Sequence, residues 1–425
     1  RDGAGVDWPI RYKDIAPWYD YVEKFVGISG SRENIAQLPD GQFLPPMEMN
    51  CVEQEVKINI EKHWSDRKLI MGRGAHLTKT HHGRGPCQHR NNCERGCPYG
   101  GYFSSNSATL PVAQTTGNLT MRPFSIVHSV IYDEKKDKAT GVRVLDAETG
   151  NMQEFYARII FMNASTLNTT WILLNSATPR FSDGLANSSG VLGHYLMDHH
   201  KNLGAEGTWE GYEDRMDFGY RPILLTIPRF RNVKEQHPDF IRGYQIYGSA
   251  NREGWWRQSE PGFGANYKKE ISKPGPWKMN LSAYGECLPY YENKAEMNHE
   301  VKDRWGLPTL KISCVFKENE QAMRKDMLAQ SVEMLEVAGL KDVTPVDGEN
   351  IPGFSIHEMG TARMGRDPKT SVLNKHNQCH DIPNLFITDG AAMTSSACQN
   401  PSLTYMALTA RACDYAVREM KKGNL

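Results

Sequence analysis

The chain lacks an excess of either charge: 50 Lys and Arg balance 50 Asp and Glu over 425 residues. A field of one sign, which would draw it to nucleic acid or anionic lipid, is therefore missing. Long apolar runs are missing too. Stretches such as Leu69-Ile70-Met71 and Ile159-Ile160-Phe161-Met162 are short, and mean hydropathy is −0.58, so no segment reads as a membrane-spanning helix. The sequence has no internal repeat or low-complexity tract, and collagen-like, coiled-coil and disordered chains are excluded with them. Walker A, HExxH and GxSxG motifs are absent, as is a GxGxxG. The nearest approach to the last, Gly72-Arg73-Gly74-Ala75-His76-Leu77, lacks the third small residue that lets helix and strand pack closely.

What remains is ordinary globular composition, 39% hydrophobic, 24% charged and 10% aromatic, with length for two or three domain-sized units. The first residue is Arg1, so the chain is expected to begin inside a domain or after processing. Nine cysteines, an odd number widely spread, do not suggest a disulfide framework. Six of them (Cys51, Cys287, Cys314, Cys379, Cys398, Cys413) read as buried thiols. The other three form Cys87-x5-Cys93-x3-Cys97, followed by Pro98, on the glycine-rich loop 83–101. Thiolates at short spacing on a bending loop can wrap an iron–sulfur cluster, and three ligands suit a 3Fe–4S centre. A zinc site completed by His81, His82 or His89, or plain thiols with one local disulfide, are the alternatives.

Asp14 predicts a helix start, with Tyr19, Val22 and Phe25 on its apolar face and an end near Gly27. Strand patterns cover 120–122, 125–132 and 141–145, with a polar hairpin turn at 133–137. The run 157–162 reads as a buried strand, followed by Asn163-Ala164-Ser165-Thr166 and a helix-like stretch 171–175. Strand, small-residue turn and helix is the order of a doubly wound α/β domain. Residues 205–320 alternate and are rich in aromatics, which predicts a mostly antiparallel sheet with a loop over 251–276. Helical spacing resumes from Gln321 and stops at Gly339. A strand at 384–388 precedes the Asp389-Gly390 turn. Asn400-Pro401 then opens a helix whose expected buried face is Leu403, Met406, Ala410, Cys413 and Val417. The fold class expected is α/β, a partial doubly wound domain plus an α+β domain.

The C-terminal stretch His357-Glu358-Met359-Gly360-Thr361, then Thr388-Asp389-Gly390, then Asn400-Pro401, resembles the glucose-methanol-choline (GMC) family of flavin oxidoreductases. The segments Asp7-Trp8-Pro9-Ile10, Asn118-Leu119-Thr120, Gly141-Val142-Arg143-Val144 and Asp198-His199 extend the likeness from about residue 7 to the C-terminus. The resemblance implies FAD as cofactor, His357 as catalytic base and Asn400, 43 residues on, as its partner. It also implies that Val127, Ala164, Asp389, Gly390, Asn400 and Pro401 line the flavin. The cysteine spacing resembles the cluster-bearing segment of bacterial FAD-dependent sugar dehydrogenases in this family. That likeness implies a sugar or sugar-acid substrate, a small subunit and cytochrome as electron-accepting partners, and a periplasmic location, with a cytoplasmic one as the alternative. The oxygen-using oxidase and a non-catalytic binding remnant are the competing readings.

The family's N-terminal βαβ unit has no counterpart in these residues, so the chain is expected to be part of a longer flavoprotein. In this reading 1–104 is a family-specific segment, 105–204 and 346–425 form the FAD-binding part, and 205–345 is the substrate domain. The chemistry agrees with the residue types. Alcohol oxidation needs a base for the hydroxyl proton and a hydride acceptor at the carbinol carbon. A neutral imidazole supplies the first, and an amide can steady the developing alkoxide. Without the resemblance, Asn400 reads as a helix N-cap and His357 as a structural loop histidine. His199-His200 reads as structural, and Trp255-Trp256 and Tyr290-Tyr291 as core aromatics or as stacking surfaces for sugar rings.

Overall fold

Two hydrophobic cores organise the chain in a computed structural model that describes residues 2–254, 262–349 and 351–425. The first core gathers around a parallel strand pair, β5 (Ile160–Met162) and β13 (Leu385–Ile387), in which Ile160 lies opposite Leu385. Against it pack α4 (Thr166–Leu174), a short 3-10 turn (Gly390–Ala392) and α7 (Ser402–Lys421). A three-stranded antiparallel sheet, β2 (Ser125–Asp133), β3 (Lys138–Asp146) and β4 (Met152–Tyr156), lies beside this core. Strand, tight turn and helix follow one another at 160–174, as the α/β pattern requires. The turn residue Ser165 takes a left-handed backbone, φ 70°, which non-glycine residues rarely adopt.

The second core lies on a six-stranded antiparallel sheet in the order β1-β7-β8-β9-β6-β12. Its strands are β1 (Ile70–Met71), β6 (Leu203–Trp209), β7 (Leu225–Ile227), β8 (Tyr244–Arg252), β9 (Trp277–Gly285) and β12 (Lys341–Asp347). The alternation that predicted such a sheet is visible in β9, where Trp277, Met279, Leu281 and Ala283 are buried and the residues between them are not. Two helices cover the apolar side, α2 (Cys51–His63) and α6 (Glu318–Val337). A hairpin of β10 (Lys294–Lys302) and β11 (Pro308–Ser313) forms a separate two-stranded sheet that packs against α4.

Several expectations are corrected. Helix α1 (Tyr12–Val26) starts two residues before Asp14, which sits in its first turn and accepts from the Arg11 amide, while Gly27 caps the other end as expected. Residues 120–122 form no strand, and α4 begins before Trp171. The expected loop contains α5 (Gly264–Ile271). The buried face of α7 is Ala407, Leu408, Ala412 and Ala416, whereas Cys413 and Val417 are exposed. That helix serves two neighbours: Ala412 and Ala416 pack on Phe386, while Leu403, Met406 and Ala410 meet α1 residues Val22 and Val26. The fragment Gly72-Arg73-Gly74 follows an antiparallel edge strand with no helix behind it, so it is no dinucleotide motif. Trp255-Trp256 lies outside the described residues.

Candidate active site

A short backbone bridge brings the two histidine segments together. Met197 and Met359 exchange both backbone hydrogen bonds, at 2.8 and 2.9 Å, in antiparallel fashion. Two residues outward on each side, His199 and His357 then face each other, Nδ1 to Nδ1, at 2.9 Å. The Asp198 carboxylate pins the loop that carries His357, accepting from the amides of Gly353 (2.8 Å) and His357 (3.1 Å) and from the Ser355 hydroxyl. Gly360, with φ 89°, is required next: a Cβ there would stand 2.2 Å from the Tyr195 carbonyl oxygen.

Asn400 arrives from the other direction. Its Nδ2 lies 3.0 Å from His357 Nε2, and its Oδ1 accepts from the Tyr247 hydroxyl at 2.7 Å. The N-cap reading is thereby overturned: Pro401 stands at the cap, no side chain caps α7, and the amide of Asn400 is turned to His357. The first-turn amides of this 20-residue helix, which carry its positive end, therefore lack a side-chain partner beside the histidine. The loop before Asn400 is held by Trp8, whose indole donates to Ser395 Oγ at 2.8 Å. Burial pushes the His357 imidazole below its ordinary pKa of 6.5, against the pull of Asp198, so the ring is neutral near pH 7. Burial and the neighbouring His357 lower His199 further, to about 4.

Asp389, Gly390 and Ala164 meet a few residues away along the parallel pair. The Thr169 hydroxyl donates to Asp389 and accepts from the Ala164 amide at 3.2 Å, and Asp389 also accepts from the Ala391 amide at 3.0 Å. Burial raises the Asp389 carboxyl to about 6. A Cβ on Gly390 would strike Thr166 Oγ1 at 2.2 Å, so only glycine fits. Val127 is separate from this group: it pairs with Val144 in the β2–β3 hairpin and packs on the same core.

Cys87, Cys93 and Cys97 line one narrow cavity of about 20 Å³ with His89, Asn91 and Tyr220. All nine cysteines are free thiols. Burial raises Cys97, but backbone amides of Tyr102, Tyr99, Gly101 and Gly100 outweigh it and hold the thiol below its usual value. Among the described residues no three His, Cys, Asp or Glu side chains are grouped to hold a metal ion, so the geometry does not support the 3Fe–4S expectation. Tyr290 donates to Glu320 at 3.0 Å and Tyr291 stacks on His194 at 4.0 Å; both are engaged within the protein. Sequence reasoning read His199 as structural and passed over Tyr247 and Gln245. The Asp198-His199 likeness was a signal for the histidine alone.

Family models described as GMC oxidoreductase match residues 7–201 and 289–409. The chain belongs to the GMC oxidoreductases, FAD-binding enzymes that act on CH–OH groups. It is 30% identical to 2-methyl-1,2-propanediol dehydrogenase of Mycolicibacterium austroafricanum, over 97% of this chain and 75% of that protein. It is 25% identical to the fructose dehydrogenase large subunit of Gluconobacter japonicus, over 99% and 76% of the two chains. A solved formate oxidase variant from Aspergillus oryzae RIB40 shares the fold, with a TM-score of 0.59 and 13% identity over 96% of this chain and 82% of that one. The residues present fit a flavin through a helix amino end that has no side-chain cap and lies beside the histidine.

Proposed function

We propose that the protein oxidises a hydroxyl of a sugar, glycoside or sugar acid and passes the electrons to an acceptor other than oxygen. The observation that carries this reading is the His357–Asn400 pair, 3.0 Å apart at the amino end of α7. FAD, when bound, accepts the hydride from the carbinol carbon. His357 takes the hydroxyl proton on Nε2, the nitrogen that faces Asn400. In the absence of substrate the Asn400 amide occupies that nitrogen's lone pair, so an incoming hydroxyl must displace it. The same N–H group then turns to the substrate oxygen and steadies its charge as the proton leaves. The amino end of α7 favours negative charge on the ring placed against it, and Ala164, Asp389, Gly390 and Pro401 would hold that cofactor.

The name of the fructose dehydrogenase relative, a large subunit, supports a sugar and an assembly of several subunits; a small subunit and a cytochrome are the partners we propose on the family resemblance. A second reading, a smaller diol, is favoured by the 30% identity to the propanediol dehydrogenase. The test is an anaerobic visible spectrum of the FAD-loaded protein with glucose, fructose, gluconate or 2-methyl-1,2-propanediol. Bleaching by a sugar or sugar acid supports the proposal, and bleaching by the diol alone replaces it with the second reading. Reoxidation of the bleached protein by ferricyanide but not by air supports the acceptor; fast reoxidation by air makes it an oxidase.

A further inference from the structure

Asn400 and His357 belong to a longer run of side chains whose ends rest on two consecutive peptide groups. At one end Gln245 Nε2 donates to the Cys398 carbonyl and, at 2.6 Å, to the Tyr247 hydroxyl. Tyr247 donates to Asn400 Oδ1, Asn400 Nδ2 meets His357 Nε2, and His357 Nδ1 meets His199 Nδ1. At the other end His199 Nε2 reaches the Ala397 carbonyl.

A carbonyl oxygen can only accept, so both ends of the run must donate, and that requirement propagates inward. The Ala397 carbonyl places the proton of neutral His199 on Nε2 and leaves Nδ1 as a lone pair. Facing that lone pair, His357 carries its own proton on Nδ1, and its Nε2 is bare. From the opposite end, the Cys398 carbonyl fixes which atom of Gln245 is nitrogen. The Tyr247 hydroxyl, having accepted from Gln245, donates to Asn400 Oδ1, which turns the NH2 of Asn400 to the bare Nε2. The two directions agree where they meet. Reversing the His357 tautomer would set two lone pairs against each other between the histidines.

We propose that His199, Tyr247 and Gln245 are positioning residues that hold His357 in the tautomer protonated on Nδ1, so that the nitrogen facing Asn400 is a free base before substrate binds. The inference rests on the reading of His357 as the base. Free neutral imidazole prefers its proton on Nε2, the form in which that nitrogen cannot accept another; the partner of the second nitrogen decides the matter. His199 suits the task because it is 1% exposed, stays neutral and has its other nitrogen committed to backbone.

The test is nitrogen NMR of the FAD-loaded protein labelled with ¹⁵N-histidine, without substrate, with the His357 signal identified from His357→Gln. The expected spectrum shows a protonated Nδ1 and a bare Nε2. In His199→Phe the proton moves to Nε2 and kcat falls by roughly tenfold or more at similar KM. In His199→Asn, whose Oδ1 falls near the position of the lost Nδ1, the Nδ1 proton and most of the rate return. A bare Nδ1 in the wild type, or an unchanged tautomer in His199→Phe, overturns the proposal. Should His199→Phe fail to keep its flavin spectrum, the wild-type spectrum decides alone. Because no substrate enters the NMR measurement, the expected tautomer without turnover of any alcohol would sink the functional reading only. Turnover with the proton on Nε2 would sink the relay only.

Discussion

At the scale of single residues, the lone pair of His357 Nε2 is contested between Asn400 and a substrate hydroxyl, and the rate depends on both side chains. Asn400→Ala leaves the base but removes the N–H that steadies the oxygen; kcat should fall by about 10²-fold with little change in KM, as measured by steady-state kinetics. The pH dependence follows from burial. His357 works as a base only while neutral, and burial moves its protonation below pH 6.5. The acid limb of kcat/KM in the free enzyme should therefore lie below 6.5, and a limb at or above that value would contradict the buried environment.

Asp389 behaves in the opposite sense. Its carboxyl is raised from 3.8 to about 6 by burial, so between those values the folded protein binds more protons than the unfolded chain. Its contribution to stability falls as pH rises through that window, and the full cost is present above it. Stripped of FAD, Asp389→Asn should gain in melting temperature over the wild type at pH 7, and gain less or nothing at pH 4. Calorimetry at the two pH values checks this.

At the scale of elements, strand β8 carries Gln245 and Tyr247, and its far end is anchored by a buried acid. Glu53, at the start of α2, is fully buried and accepts from the Ala250 amide of β8 at 3.0 Å and from Arg221 through both oxygens. Removing it takes the carboxylate from the partly buried Arg221 and the acceptor from the Ala250 and Asn50 amides. Glu53→Ala should cost about 1–3 kcal/mol, read as a lowered melting temperature, and should loosen β8. The same elements explain what the sequence disclosed. His357, Asp389 and Asn400 were legible because each stands in a short local motif. His199, Tyr247 and Gln245 were not, because their roles depend on the 197–359 bridge and on which strand lies beside Asn400. Pairings between distant segments leave no periodic trace in the chain. Asn400 was ambiguous for a related reason: capping and catalytic duty call for the same residue type at the same place. The cysteine spacing alone left cluster, zinc and plain thiols open, and the structure brings the three thiols to one cavity without supporting the cluster.

At the scale of the whole molecule, Ala164 packs against the first core, and Asp389 and Gly390 directly precede its members Ala391 and Ala392, while the six-stranded sheet has its own core. A ligand stabilises the part of a protein that must be folded to bind it, by about 2.7 kcal/mol at a hundredfold excess over Kd. Removing FAD should raise amide hydrogen exchange across 160–174 and 385–392 and leave 244–252 and 277–285 nearly unchanged. Equal deprotection of both regions would mean that the two cores unfold as one.

The parallel pair of β5 and β13 also bears on how the protein is made. On the ribosome, β5 emerges long before its partner, and Ile160 waits for Leu385 while strands β6, β7, β8, β9 and β12 of the antiparallel sheet are synthesised between them. Pairings so distant along the chain form slowly and late. A nascent or clipped chain ending after β12 could hold a finished sheet yet would possess neither His357 nor Asn400. The pair at 357 and 400 can thus form only after the strands of the sheet that precede it have been synthesised.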